Sequence, residues 1–381
     1  MKTRISKKVL LTSVVFMVFL IPIVMPVTAV FATGCSPAGN TGLTARIVIS
    51  TSHHTISDRS VNAAGCDVGI YVGPGVSQVQ INGVTVTGAK QHGIFVQDSS
   101  HITIVNNLVT GNGVGSIVCP ASGPSPPGCI PEDKPIQLVG TSNSLVAHNV
   151  VSYNSADGGI GVADDGPQNP GAALGVAGMS LKAHDDKVIG NSIVDNTRGC
   201  GVVVAAYNPG VGVSDIIVAH NTIIGQAPGT PITSKSGPFI GQIVVATDAP
   251  LTTIRDVTVR DNTLVGSFLP GIVLHANVFG DKIINTKIIG NVIAQNGYYP
   301  GPPNAKGNTP GVLQGTTGIS IVAENPWKPL PRAVISHTTV ASNTVLGDAN
   351  GVWLCYTTHT TITDLDGNPT NQVITCAAGG K

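Results

Sequence analysis

Charge is scarce in this chain of 381 residues. Only 10% are Asp, Glu, Lys or Arg, and the formal net charge is zero. There is no basic footprint of the kind a nucleic-acid binder needs. Aromatics are equally thin at 4%, and two Trp are a modest endowment for stacking on sugar rings. No Cys-x-x-Cys pair and no Cys/His zinc spacing occurs, nor any Met/His/Cys cluster suited to copper. What is abundant is Gly (47 residues) set among aliphatics, with hydrophobics at 42%. That composition excludes a disordered chain and suits many short strands joined by turns.

The N-terminus concentrates part of the charge. Lys2, Arg4, Lys7 and Lys8 precede an apolar run from Val9 to Val30, with small residues at Ala29 and Ala32. This reads as a secretory signal over 1–32, and no membrane span is expected after its removal. The remainder carries 16 basic against 20 acidic residues, a net charge of −4. Seven cysteines fit an oxidising compartment. The local pairings are Cys35 with Cys66, Cys119 with Cys129 and Cys355 with Cys376, leaving Cys200 as a small buried strand residue. ATGCS around Cys35 resembles a lipoprotein cleavage box, from which Ala32 departs in the first position.

The strongest signal is a repeat. Short segments such as ITIVNNLV, SLVAHNVV and VTVRDNTLV align so that Asn fills one column: Asn107, Asn149, Asn191, Asn221, Asn262, Asn291 and Asn343. An aliphatic stands three residues before each Asn and another two residues after it. Stacked aliphatics bury apolar area that a single repeat could not bury alone. A side-chain amide that both donates and accepts can satisfy a turn and the Asn above and below it. The residue just before each Asn is Asn106, His148, Gly190, His220, Asp261, Gly290 or Ser342, mostly types that tolerate a left-handed backbone. His148 and His220 are accordingly turn residues. The repeat predicts an all-β solenoid of about nine rungs over 69–356, with caps at 33–68 and 357–381.

These columns resemble the right-handed parallel β-helix of the pectate-lyase-like superfamily, including the short repeats of NosD-like proteins. The resemblance implies a cleft along the outer face of the first strands, walled by loops after the third strands. The long loops expected are 111–134, 153–177, 225–239 and 295–317. Alternation puts Tyr71, Phe95, Gln137, Ser180, Val203, Val244, Val273, Ser320 and Trp353 in the outward row. Gln97, Lys182 and His275 follow in the next row.

Candidate chemistry gathers around the second of these loops. ADDG supplies Asp164 and Asp165, and KAHDDK supplies Lys182, His184, Asp185 and Asp186, with Arg198 closing the rung. Neighbouring carboxyls push their pKa values apart, as acid–base catalysis requires, or could hold Ca²⁺ through oxygen ligands. ADDG resembles the Asp-Asp motif of polygalacturonase-like hydrolases, whose companion motifs are absent here. Turn chemistry competes for the same residues. Catalysis would fall to Asp164, Asp165, His184, Asp185 and Asp186. Substrate contact would fall to Lys182, Arg198, Gln97, His275 and Trp353. Three functions follow: a secreted or cell-surface binder of glycan or another surface, a polysaccharide lyase, hydrolase or epimerase, and a structural scaffold of an extracellular assembly. No cofactor is required by the sequence, and the partner expected is a polysaccharide or cell-surface glycan.

Overall fold

The computed structural model describes residues 34–114, 134–155, 158–166, 181–196, 199–225, 241–267, 270–296, 317–323, 332–348, 350–369 and 371–375. Among them every regular element is a strand. Beyond the first two, successive strands do not pair with one another. Each pairs with its counterpart one turn of chain away, so the strands sort into sheets of twelve, ten, ten and six. One repeat shows the pattern. His92–Gln97 joins the first-strand sheet, Ser100–Val105 the second and Leu108–Thr110 the third. The fourth, six-stranded sheet starts at Ala183–His184 and inserts a short strand between the first and second strands of the later rungs. Pairing is parallel throughout, apart from Ser36–Pro37 on Thr44–Ile49 and an isolated bridge between Asp165 and Leu181.

Ten rungs are stacked, against about nine expected, because the sheets continue into both terminal stretches. Thr44–Ile49, Thr55–Ser57 and Ser60–Asn62 supply one strand to each main sheet ahead of Val68. Thr361–Thr363 and Asp366–Gly367 do the same at the far end. At the N-terminal end the antiparallel strand Ser36–Pro37 covers the sheet edge. The Cys35–Cys66 disulfide fastens it, with Cα atoms 5.5 Å apart. Cys355 is also disulfide-bonded, while Cys376, Cys119, Cys129 and the 1–32 segment lie outside the described residues.

A single aliphatic cluster runs the length of the solenoid. Its columns are the ones the repeat marks: Ile104, Val146, Val188, Val218, Val259, Ile288 and Val340 on the second strands, all fully buried. Val109, Val151, Ile193, Ile223, Leu264, Ile293 and Val345 oppose them on the third. The Gly at the start of most first strands is fixed by this packing. A Cβ at Gly93 would come within 2.5 Å of Val109 Cγ1, and one at Gly271 within 2.5 Å of Ile293 Cγ2.

The Asn column is a continuous buried ladder. Each Oδ1 accepts both the main-chain N–H and the side-chain Nδ2–H of the Asn one rung earlier, at 2.9–3.0 Å, from Asn107 through Asn343. Each Nδ2 also donates to a carbonyl of the earlier rung, as Asn221 does to Val188 at 2.9 Å. Every residue preceding a ladder Asn has positive φ, from 54° at Ser342 to 67° at Gly190 and Gly290. His148 and His220, at 56°, therefore hold bends.

A second ladder lies five residues further on. Asn112, Asn154 and Asn196 repeat the same bonds, and Ser267, Asn296 and Asp348 continue the column.

One first strand falls elsewhere than expected. GMSLK at 178–182 does not form it; Ile160–Ala163 does, in register with Ile136–Val139 and Val202–Ala206. Ile160 and Val162 fill the core columns there, and Gly161 takes the outward place expected for Ser180. A Cβ at 161 would lie 2.3 Å from Gln137 Oε1 and 2.9 Å from Lys134 Cγ, so Gly leaves both side chains where they are. The stretch 153–177 thus contains a first strand and is not one loop after a third strand. The chain leaves this strand at Asp165 and returns at Leu181, the two residues joined by reciprocal main-chain hydrogen bonds of 2.8 and 3.2 Å. Ser180 lies outside the described residues.

Candidate functional site on the first-strand face

The outward row of the first strands is buried. Tyr71, Phe95, Val244, Val273, Ser320 and Trp353 are each 2% exposed or less. Gln97 and His275, from the adjoining row, are equally enclosed. Trp353 packs with Val322, Cys355 and Ile374, and His275 sits near Asp248, whose carboxyl is pushed up mainly by burial. Between Gln97 and His275 the adjoining row narrows to Val139, Ala163, Ala205 and Ala246. This row is therefore a small-residue apolar strip with a polar group at either end. Lys182 is exposed and outside any strand, and Arg198 lies outside the described residues.

The five residues expected to share acid–base chemistry divide into separate environments. Asp164 is fully buried and anchors the turn at 207–212. Its Oδ1 accepts from Tyr207 N and Asn208 Nδ2, and its Oδ2 from Asn208 N and Gly212 N, at 2.8–3.3 Å. Burial pushes its carboxyl up to about 7 against the pull of these bonds. Asp186, 1% exposed, accepts from Thr141 Oγ1 at 2.6 Å and Ser144 N at 2.7 Å, tying two rungs together. Burial raises it to about 6. His184 and Asp185 form a partly exposed pair, Nδ1 to Oδ2 2.8 Å, with Asp185 at φ 58° in a bend. Exposed pairs of this kind contribute little. Asp185→Asn, which also tolerates left-handed backbone, is expected to move thermal stability by less than about 0.5 kcal/mol in a melting comparison.

Asp165 makes the one carboxyl contact in the set, and its partner is a residue the repeat does not mark. Asp98 and Asp165 meet through their side chains, and apart from that contact neither Asp98 oxygen has a hydrogen-bond partner. Burial first, then the charge and hydrogen bond of Asp165, push Asp98 up to about 8. Asp165 Oδ2 accepts from Gln97 Nε2 at 2.9 Å, and Gln97 Oε1 accepts from Tyr71 Oη at 3.0 Å. Asp165 Oδ1 accepts from Gly166 N at 2.7 Å. Burial, then the charges of Asp98 and Asp165, push the Tyr71 hydroxyl up. Tyr71, Gln97, Asp98 and Asp165 are thus one buried chain across stacked rungs, with the rung of Gly140 between Asp98 and Asp165. Among the described residues no three His, Cys, Asp or Glu side chains gather to hold a metal ion.

The rung geometry and the ladders have a counterpart among known sequences. The family model described as the right handed beta helix region matches residues 45–365. The chain belongs to this family. The right-handed β-helix is shared with solved structures of low identity. The surface adhesin PfbA of Streptococcus pneumoniae aligns at TM-score 0.55 and 12% identity, over 91% of this chain and 75% of that one. The A-module of the mannuronan C-5 epimerase AlgE4 of Azotobacter vinelandii aligns at TM-score 0.48 and 13% identity, over 88% and 78%. The Gp54 tailspike of Acinetobacter baumannii bacteriophage AP22, solved with a capsular saccharide, aligns at 0.39 and 12%, over 81% and 45%. No curated protein matches the chain. At these identities the likeness is one of fold, and a β-helix hosts binders and enzymes alike.

Proposed function

We propose that this β-helix is an extracellular or cell-surface protein that binds glycan or another surface without transforming it. The observation that supports this most is the use made of the acids. Asp164 and Asp186, two of the three buried carboxyls of the expected set, spend their oxygens on main-chain N–H groups, the Asn208 amide and a threonine hydroxyl. A catalytic acid or base must be able to reach a substrate proton, and these two face hydrogen-bond donors of neighbouring rungs. The Cys35–Cys66 disulfide suits an oxidising compartment. A β-helix that serves as a surface adhesin supplies a precedent for the architecture in a binding role. The test is retention of residues 33–381 on a panel of neutral and acidic polysaccharides. Retention on at least one, at a mid-micromolar Kd or tighter, is expected; elution with the void volume from all of them counts against the reading.

A second reading, a polysaccharide lyase, hydrolase or epimerase, is favoured by the Asp98–Asp165 pair, two carboxyls in contact with one held up to about 8. Its catalytic group would then be Asp98 and Asp165 with Tyr71 nearby, and it requires turnover that is lost in a folded Asp98→Asn variant.

A further inference from the structure

Two buried carboxyls that touch need a proton between them, because two anions in contact inside a protein repel strongly. The rung register shows how this contact arises. Asp98 and Asp164 align with Gly140, which lies between them in the stack, and Asp165 follows Asp164 directly. Gly140 leaves the space in which Asp98 and Asp165 meet. A Cβ there would lie 2.3 Å from Asp98 Oδ1, 3.0 Å from Asp165 Cβ and 3.2 Å from Leu181 Cβ, at a φ of +60° that Gly adopts freely. Asp165 already accepts from Gln97 and Gly166, so Asp98 is the member left to carry the proton and donate it. The main chain of Asp165 makes the two hydrogen bonds to Leu181 at the point where the chain leaves and rejoins the rung.

We propose that Asp98 and Asp165, meeting across Gly140, form a proton-operated pin that holds the Asp165–Leu181 junction to the first-strand face and releases it when the shared proton is lost. The ionisable groups facing the pair are Tyr71, from an earlier rung, and Asp164, next to Asp165. Both add negative charge or none, so neither compensates a second carboxylate. Buried Lys134 lies one row away against Gly161. The sign follows from the direction of the shift. A carboxyl raised in the folded state supports the structure while protonated, and that support is lost as pH rises through its folded pKa, about 8.

The pin is tested by amide hydrogen exchange of Asp165 and Leu181, with Val204 in the core as reference. After correction for intrinsic base catalysis, protection of both amides in the wild type should fall at least about tenfold between about pH 6 and about pH 9, with Val204 unchanged. In Asp98→Asn, whose amide donates to Asp165 at any pH, the fall should be under about twofold. A wild-type profile that is flat, or one that Asp98→Asn reproduces, overturns the proposal. Carboxyl-carbon NMR of the wild type gives a reading that needs no variant. Asp98 should be protonated at about pH 6 and titrate near 8, and finding it ionised at about pH 6 overturns the proposal as well.

Discussion

Replacing Asp348 by Asn is expected to stabilise the solenoid by about 2–4 kcal/mol at about pH 8 and by less than about 0.5 kcal/mol at about pH 4. Asp348 stands in the second ladder, where the neighbouring positions carry Asn. Its Oδ1 accepts Asn296 N at 2.8 Å, as a ladder amide would, but it is 3% exposed and Oδ2 has no hydrogen-bond partner. Burial pushes its carboxyl from 3.8 up to about 7. The folded pKa is raised, so the contribution of the neutral form is complete below the unfolded value and is lost as pH climbs to about 7. An Asn at 348 would keep the acceptor and supply a donor. By the pattern of Asn296, whose Nδ2 bonds Leu264 O, that donor would reach the carbonyl of Ile293, the residue paired with Leu264. Melting temperatures of the two proteins across this pH range check the prediction. A difference independent of pH would show that charge is not the cause.

Asn221→Ala should cost about 3 kcal/mol, read as a lowered midpoint of urea unfolding. Asn191 N and Nδ2 both donate to Asn221 Oδ1, and Asn221 Nδ2 donates to Val188 O. Truncation strands two donors and an acceptor at a site with no exposed surface. An unsatisfied buried group costs roughly 1–3 kcal/mol, and partial relaxation keeps the total below the sum. Polysaccharide retention per folded molecule should be unchanged, because the ladder lies at the bend between second and third strands and not on the first-strand face.

The ladder was legible because it repeats. Seven Asn in one column, flanked by aliphatics, leave one periodic solution, and the left-handed bends before them follow from residue type. The second ladder carries a signal of equal quality, Asn at a fixed offset of five residues at 112, 154, 196 and 296. Its interruption by Gln226, Ser267 and Asp348 weakens the column to the eye, although Ser267 N and Asn296 N still donate along it. The first strand at Ile160–Ala163 was harder to place, since GIGVA and GMSLK both alternate suitably. Gly at 161 leaves room for the opposing Gln137 and Lys134 side chains, a contact between rungs that alternation within one segment does not show. The Asp98–Asp165 contact was beyond reach. The two residues are 67 positions apart, and they meet only because Gly140 on the intervening rung has no side chain. ADDG drew attention as a catalytic string, yet its two carboxyls face different partners, one the turn at 207–212 and the other Gln97 and Asp98.

The proposed binding role gives the buried acids of this β-helix the work of holding its rungs together rather than chemistry on a substrate. The most direct measurement is release of reducing ends and unsaturated products from a polysaccharide panel by the wild type, with folded Asp98→Asn and Asp165→Asn proteins alongside. No product above background, from polysaccharides that retain the protein, is the expected result; turnover by the wild type that either substitution abolishes would contradict it.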